Sequence, residues 1–336
     1  MSTAQPPQPP SARVAGATTV NTPASAASAQ TVPLLLWSSE RDNAPPRAPR
    51  PIPPLFWTYW DDAALPLVVR ACLTSWRDHH PEARITVLRP DALPADMASP
   101  PPGFARWTPQ VQSDWVRLAV LARFGGVWMD ASTVLHAPLH FIDVLAARHQ
   151  PDLIGYYNRE RTQDAAFPML ENWFLAAPRE SAFIRHWFAT FDRILQAEGQ
   201  ADVAALVSDD LPLNALLQGF SYAADYFACH AAAQYALRQA VGHADVDVAA
   251  DANTHADHRA DYRLALMPAE LDAFLEAHSR GWAPERVSAW LCETTEGRQP
   301  VAARLTKLIG LLWRPLEARL QRGEVHPASI IGQLLR

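Results

Sequence analysis

The chain has 336 residues, 49% of them hydrophobic and 19% charged, enough to bury a sizeable core in one large domain or two small ones. A net charge of -6 argues against a nucleic-acid protein, whose binding needs a basic face. Cys72, Cys229 and Cys292 offer no CxxC or Cys/His spacing for a structural zinc, and their odd, sparse count fits a reducing compartment. Lys307 is the only lysine among 29 basic residues, which reads as the codon bias of a GC-rich genome rather than as a phosphate-binding device.

The N-terminus lacks a basic region followed by an apolar one, so no signal peptide is expected. Apolar runs such as Pro33 to Trp37 are far too short to span a bilayer. The expected location is the cytoplasm, with peripheral contact at the inner membrane where the acceptor is lipid-linked. Residues 1–50, rich in Pro, Ala, Ser, Thr and Gln, read as a disordered leader that buries too little to offset the entropy of ordering. Order is expected from Ile52. The aromatic run Pro54 to Trp60 predicts a buried strand, and Pro66 opens a helix with Val69, Leu73 and Trp76 at helical spacing. His79-His80-Pro81 ends that helix, and Arg84 to Leu88 predicts the next strand. This strand–helix–strand opening is a βαβ unit with parallel strands.

Thr108-Pro109, a hydroxyl at the cap and a proline at the first helical position, starts a helix that runs to Phe124 and stops at Gly125-Gly126. Val127 to Met129 is a short strand ending at Asp130, and further strands are expected over 152–157 and 173–176. Beyond Ser181 helices are expected over about 181–197, 213–240, 269–279 and 299–321, with Asp209-Asp210 as a helix cap. Trp76, Trp115, Trp187 and Trp313 read as core, and His230 as a packed helix histidine.

The chemistry concentrates between Gln112 and Ser132. Asp114 and Arg117 lie three apart on one helix and so share a face. The Gly-Gly turn then feeds a strand whose carboxyl end presents Asp130, where open α/β sheets bind ligands. Carboxylates accept hydrogen bonds from sugar hydroxyls or bind a divalent cation, and a guanidinium offers a planar fork to phosphate or sugar oxygens.

Ser113-Asp114, Arg117, Leu121, Gly125-Gly126, Trp128, Asp130 and Ser132 together resemble the DXD sugar-binding region of the capsular polysaccharide synthesis proteins, relatives of the yeast initiating mannosyltransferase and, more remotely, of the glucosylating clostridial toxins. Ile52 to Trp60 is similar to that family's first strand, and Cys72 to Trp76 to its following helix. The resemblance covers about residues 50–140. It implies an α/β, GT-A-like fold: one Rossmann-type mixed sheet flanked by helices, with a helix-rich C-terminal half. Residues 51–178 would form the nucleotide-sugar part and 179–336 the acceptor-side part.

The resemblance further implies a retaining glycosyltransferase that moves a sugar from a UDP- or GDP-sugar to a glycan or lipid-linked glycan, as in capsular or other surface polysaccharide synthesis. Asp130 and Arg117 would be catalytic. Trp57 would stack on or flank the base, and Asp114 and Arg117 would hold donor-sugar hydroxyls. Trp128, Asp130, Ser132, Glu171 and Asn172 would complete the donor site, the last two at the sugar's reacting face. Mn²⁺ or Mg²⁺ would sit on Asp130 and Ser132, with His326 and Ser329 completing its shell. The chain departs from the strict motif in reading Asp130-Ala131-Ser132, and a hydroxyl is a poor substitute for a carboxylate ligand. Two alternatives stay open: a nucleotide-sugar-binding protein with little turnover, and a secreted effector that glycosylates a host protein.

Overall fold

A computed structural model describes residues 13–20, 32–40, 47–196, 198–219, 224–242, 261–272, 283–296 and 303–336. Two strands come first, β1 (Arg13–Val20) and β2 (Val32–Ser38). β3 (Leu55–Tyr59) and β4 (Arg84–Leu88) follow, joined by α1 (Leu67–His79), which buries Val69, Leu73 and Trp76 as their spacing predicts. α2 (Pro109–Phe124) starts where the Thr108 hydroxyl accepts from the Val111 N–H. It ends at Gly125 (φ 62°), and Gly126 (φ 101°) opens β5 (Gly126–Met129). A Cβ on Gly125 would meet the Arg179 nitrogen at 2.6 Å, and one on Gly126 would strike the Leu55 carbonyl oxygen. Only glycine lets the chain reverse so tightly from helix into strand here.

Next come β6 (Thr133–Leu135), α3 (Phe141–His149), β7 (Leu153–Tyr157), β8 (Leu170–Ala177) and α4 (Ala182–Ile194). α5 (Leu213–Leu217), α6 (Ala228–Ala240), β9 (Arg263–Pro268) and β10 (Leu305–Lys307) lead to the terminal helices Gly310–Gln321 and Ile330–Leu334. Eight strands form one mixed sheet in the order β1-β2-β9-β7-β8-β5-β3-β4, and β10 pairs with β6 in a small second sheet.

Strand alternation divides the core between the sheet's two faces. Trp57, Trp128, Leu175, Leu264 and Leu266 pack with α2, α4 and α6. Their neighbours Phe56, Val127, Met129, Phe174 and Ala265 pack with α1 and α3. The helices Pro284–Cys292 and Gly310–Gln321 form a third cluster against α1. Trp76, Trp115 and Trp187 are buried as expected, whereas Trp313 is only partly buried, edge-on to Trp60. All three cysteines are buried and free.

Order does not begin at Ile52. β2 pairs antiparallel with β9 inside the main sheet, with Leu34 and Trp37 each 1% exposed. Arg47 and Arg50 then clamp the buried Asp152 carboxylate at 2.5 and 2.9 Å. A seven-residue apolar strand in a polar, proline-rich stretch leaves the stretch's mean composition that of a leader, yet its burial supplies enough energy to order it.

The C-terminal half also differs from its expected helices. β9 is interior to the sheet, so residues 179–336 are not a separate helical part. The 213–240 stretch splits into α5 and α6, with residues 220–223 outside the described ones. Residues 305–307 form a strand because they complete an edge of β6. The 269–279 helix is described only as Ala269–Asp272, and 273–279 lie outside the described residues. Asp209-Asp210 sits in a turn closed between Ser208 and Leu211, and the residue preceding α5 is Pro212, so the pair caps nothing.

If β2 is part of the folded core, Trp37→Ala will lower the unfolding free energy by about 3–5 kcal/mol. Urea denaturation followed by fluorescence measures this, and a disordered leader would give no change.

Candidate functional site

The alternation that buries Trp128 on the α2 side sends Asp130, two residues on, to the same side just past the carboxyl end of β5. There the Trp128 Nε1–H donates to Asp130 Oδ1 at 3.1 Å. The Gly-Gly turn folds α2 back over this strand end. Arg117, its side chain 4% exposed, donates from Nη2 to Asp130 Oδ1 at 2.9 Å, and its Nη1 lies 2.8 Å from Asp114 Oδ1. The guanidinium also sits 5.2 Å from the centre of the Trp128 ring. From β8, the Asn172 amide donates to Asp114 Oδ1 at 3.1 Å. Asp114, Arg117, Trp128, Asp130 and Asn172 thus form one network.

A residue not assigned to the site by its sequence joins them. Lys307, opposite Thr133 in the β6–β10 ladder, places its Nζ 2.5 Å from Asp130 Oδ2 and 3.3 Å from Ser132 Oγ. Ser132 is buried, and its hydroxyl donates to the Leu308 carbonyl at 2.8 Å. The sole lysine of the chain thus sits in this network. Its singularity was the signal: among 29 basic residues, one position carries a compact ammonium instead of a guanidinium fork.

Burial alone would raise the Asp130 carboxyl, but Lys307 and Arg117 outweigh it and hold the group below the usual carboxylate range, so it stays ionised. Asp114 goes the other way: burial, aided by the Asp130 charge and opposed by Arg117, pushes it up to about 6. Glu171 is raised by burial as well, and it accepts from the Asn158 amide at 3.2 Å. Tyr226 and His230, either side of the start of α6, complete the surroundings. Partial burial and then the charges of Asp114 and Asp130 raise the largely exposed Tyr226 phenol. Burial, then the Arg117 charge, lower His230 to about 4, so it is neutral. His230 packs beside Phe227, as a packed histidine should, but within electrostatic reach of the network.

Three expected site residues are not brought together with these. Trp57 is 6% exposed, its Nε1–H donates to the Gly125 carbonyl at 2.9 Å, and its ring packs against Phe124. Paired in register with Trp128, it supports the network from below and presents no free face for a base. Ser329 caps the helix Ile330–Leu334 through the Gly332 N–H. His326 lines an open cleft of about 680 Å³ with Cys292, Arg319 and Glu324, none of which belongs to the network.

The donor set also fits a hard divalent cation poorly. Both Asp130 oxygens already face cations, Ser132 turns its lone pairs toward the Lys307 ammonium, and no three His, Cys, Asp or Glu side chains converge on one point among the described residues. Such ions want several oxygen ligands. Two like unit charges 4 Å apart near a protein surface repel by about 4 kcal/mol, and a doubly charged ion would meet that from Arg117 and Lys307 together.

A mixed α/β sheet with a network of charged side chains at the carboxyl end of one strand is the frame of this chain. The chain belongs to the family of capsular polysaccharide synthesis proteins, whose model matches residues 38–255. No curated protein matches it. Among solved structures it is similar to one titled PaToxG Glycosyltransferase, at 13% identity and a TM-score of 0.31, over 43% of this chain and 61% of that one. The chain thus spans less than two thirds of that structure's length.

Removing a partner from a buried ion network leaves an uncompensated charge. Arg117→Met will therefore lower the unfolding free energy by about 3–5 kcal/mol. Arg117→Lys will recover only part of this, because an ammonium lacks the planar fork that sets Nη1 on Asp114 and Nη2 on Asp130. Denaturant titration of the two variants measures both effects.

Proposed function

We propose that the protein is a glycosyltransferase that takes a sugar from a UDP- or GDP-sugar and adds it to a glycan or lipid-linked glycan, in the synthesis of a capsular or related surface polysaccharide. One observation carries this: within a chain of this family, Asp130, Arg117, Asp114 and Asn172 share one hydrogen-bonded network at a strand's carboxyl end. Ionised carboxylates there accept from sugar hydroxyls, and the Asn172 amide orients Asp114. Arg117 supports the reading because its buried Nε makes no hydrogen bond among the described residues, and a buried donor in that condition is costly unless a ligand oxygen completes it.

In the reaction, the bond from the anomeric carbon to the diphosphate oxygen breaks and its electron pair leaves with the nucleoside diphosphate. The acceptor oxygen bonds to the anomeric carbon. Its proton passes to the departing diphosphate, so transfer with retention needs no separate protein base. Asp130 and Arg117 hold the reacting end of the sugar, and Glu171 lies to the side of Asn172. No helix among the described residues is long and apolar enough to cross a membrane.

Hydrolysis and transfer assays over a panel of UDP- and GDP-sugars test the proposal. Asp130→Asn should lower turnover by roughly a hundredfold or more. Wild-type turnover in that variant would assign the reaction elsewhere. With Asp114 at about 6, protonation below that pH removes an acceptor, so kcat/KM should fall about tenfold per unit below pH 6. Asp114→Asn should be slower and should lack that acid limb.

A further inference from the structure

We infer that Lys307 is the cation facing the donor's diphosphate, and that transfer proceeds without a divalent metal. This rests on the glycosyl-transfer reading above and names a residue outside the stretch matched by the family model, residues 38–255. An ammonium carries three N–H donors. One meets Asp130 Oδ2 at 2.5 Å and a second leans on Ser132 Oγ at 3.3 Å, leaving the third without a partner among the described residues. Ser132 gives its own proton to the Leu308 carbonyl, so it turns lone pairs toward Lys307.

The head group is held rather than waving on the surface. Lys307 stands opposite Thr133 in a two-stranded ladder, the Leu308 N–H extends that ladder to the Ser132 carbonyl, and the Lys307 side chain is 12% exposed. Its position is telling. Asp130-Ala131-Ser132 lacks a second carboxylate, and the ammonium lies between the Asp130 carboxylate and the Ser132 hydroxyl. An ammonium presents its charge as a compact point on a four-carbon stem, here held by the ladder and by its two partners. As the bond from the anomeric carbon to the diphosphate breaks, the leaving group gains one negative charge. Lys307 keeps its proton throughout and stabilises that charge, while the acceptor proton goes to the diphosphate.

The test uses the full chain. UDP and GDP are titrated calorimetrically in EDTA, and hydrolysis of UDP- and GDP-sugars is then measured in EDTA and in Mn²⁺. The expected result is binding of one nucleoside diphosphate in EDTA and the same donor turnover in both buffers. Lys307→Met should weaken nucleoside diphosphate binding in EDTA by about tenfold or more and lower turnover by about a hundredfold. Lys307→Arg, which keeps the charge, should retain binding in EDTA, and it decides the matter if Lys307→Met does not fold. Binding and turnover that appear only with Mn²⁺ would overturn the role of Lys307 and leave the transferase reading standing. So would a folded Lys307→Met protein that binds like wild type in EDTA. No binding of any nucleotide or donor, with or without Mn²⁺, would remove both.

Discussion

Asp130 carries its charge in a place where burial opposes it, and the fold holds it there by bringing two cations to its two oxygens. Arg117 arrives from α2 and Lys307 from β10, at 2.9 and 2.5 Å. Each depends on a separate structural device. The Gly125-Gly126 turn folds α2 back onto β5, and a third carbon on either glycine would collide with backbone. The β6–β10 ladder fixes Lys307 by register rather than by its own rotamers. Without those two devices a carboxylate at this strand end would be left without compensation, which is among the costliest states a protein interior can hold.

The residues around Asp130 divide by protonation as well as by position. Asp130 is held ionised by its cations, while Asp114, one helical turn from Arg117 and deeper under the same desolvation, is pushed up to about 6. Two carboxylates that share one guanidinium thus differ in how tightly they hold a proton. His230 is kept neutral by burial and by the Arg117 charge, so it adds no third cation beside the network. Two carboxylates and two cations thus face one another at this strand end, held in place by the fold.

What was legible in the sequence was local. Thr108-Pro109, the Asp114–Arg117 spacing, the Gly-Gly turn and Asp130 all lie on one continuous helix–turn–strand, where helical period and turn chemistry dictate the geometry. The strands β3, β4 and β7 were legible for the same reason, as short apolar runs between breakers. What was hidden was set by long-range pairing. Lys307 reaches Asp130 across 177 residues of chain. Residues 305–307 are too few to show a strand pattern and acquire one only from β6. β2 was masked by the composition around it. Trp57 was legible as part of a buried strand, but its partners were not, since they are Phe124 and the Gly125 carbonyl from a neighbouring stretch of chain.

On the proposed reading the donor sugar lies between α2 and the end of β5. A crystal structure of the chain with an intact nucleotide sugar measures that most directly. The sugar should contact Asp130, Asp114 and Arg117, with its diphosphate beside Lys307. A sugar bound instead in the cleft formed by Arg319, Glu324 and His326, with the Asp130 network untouched, would contradict it.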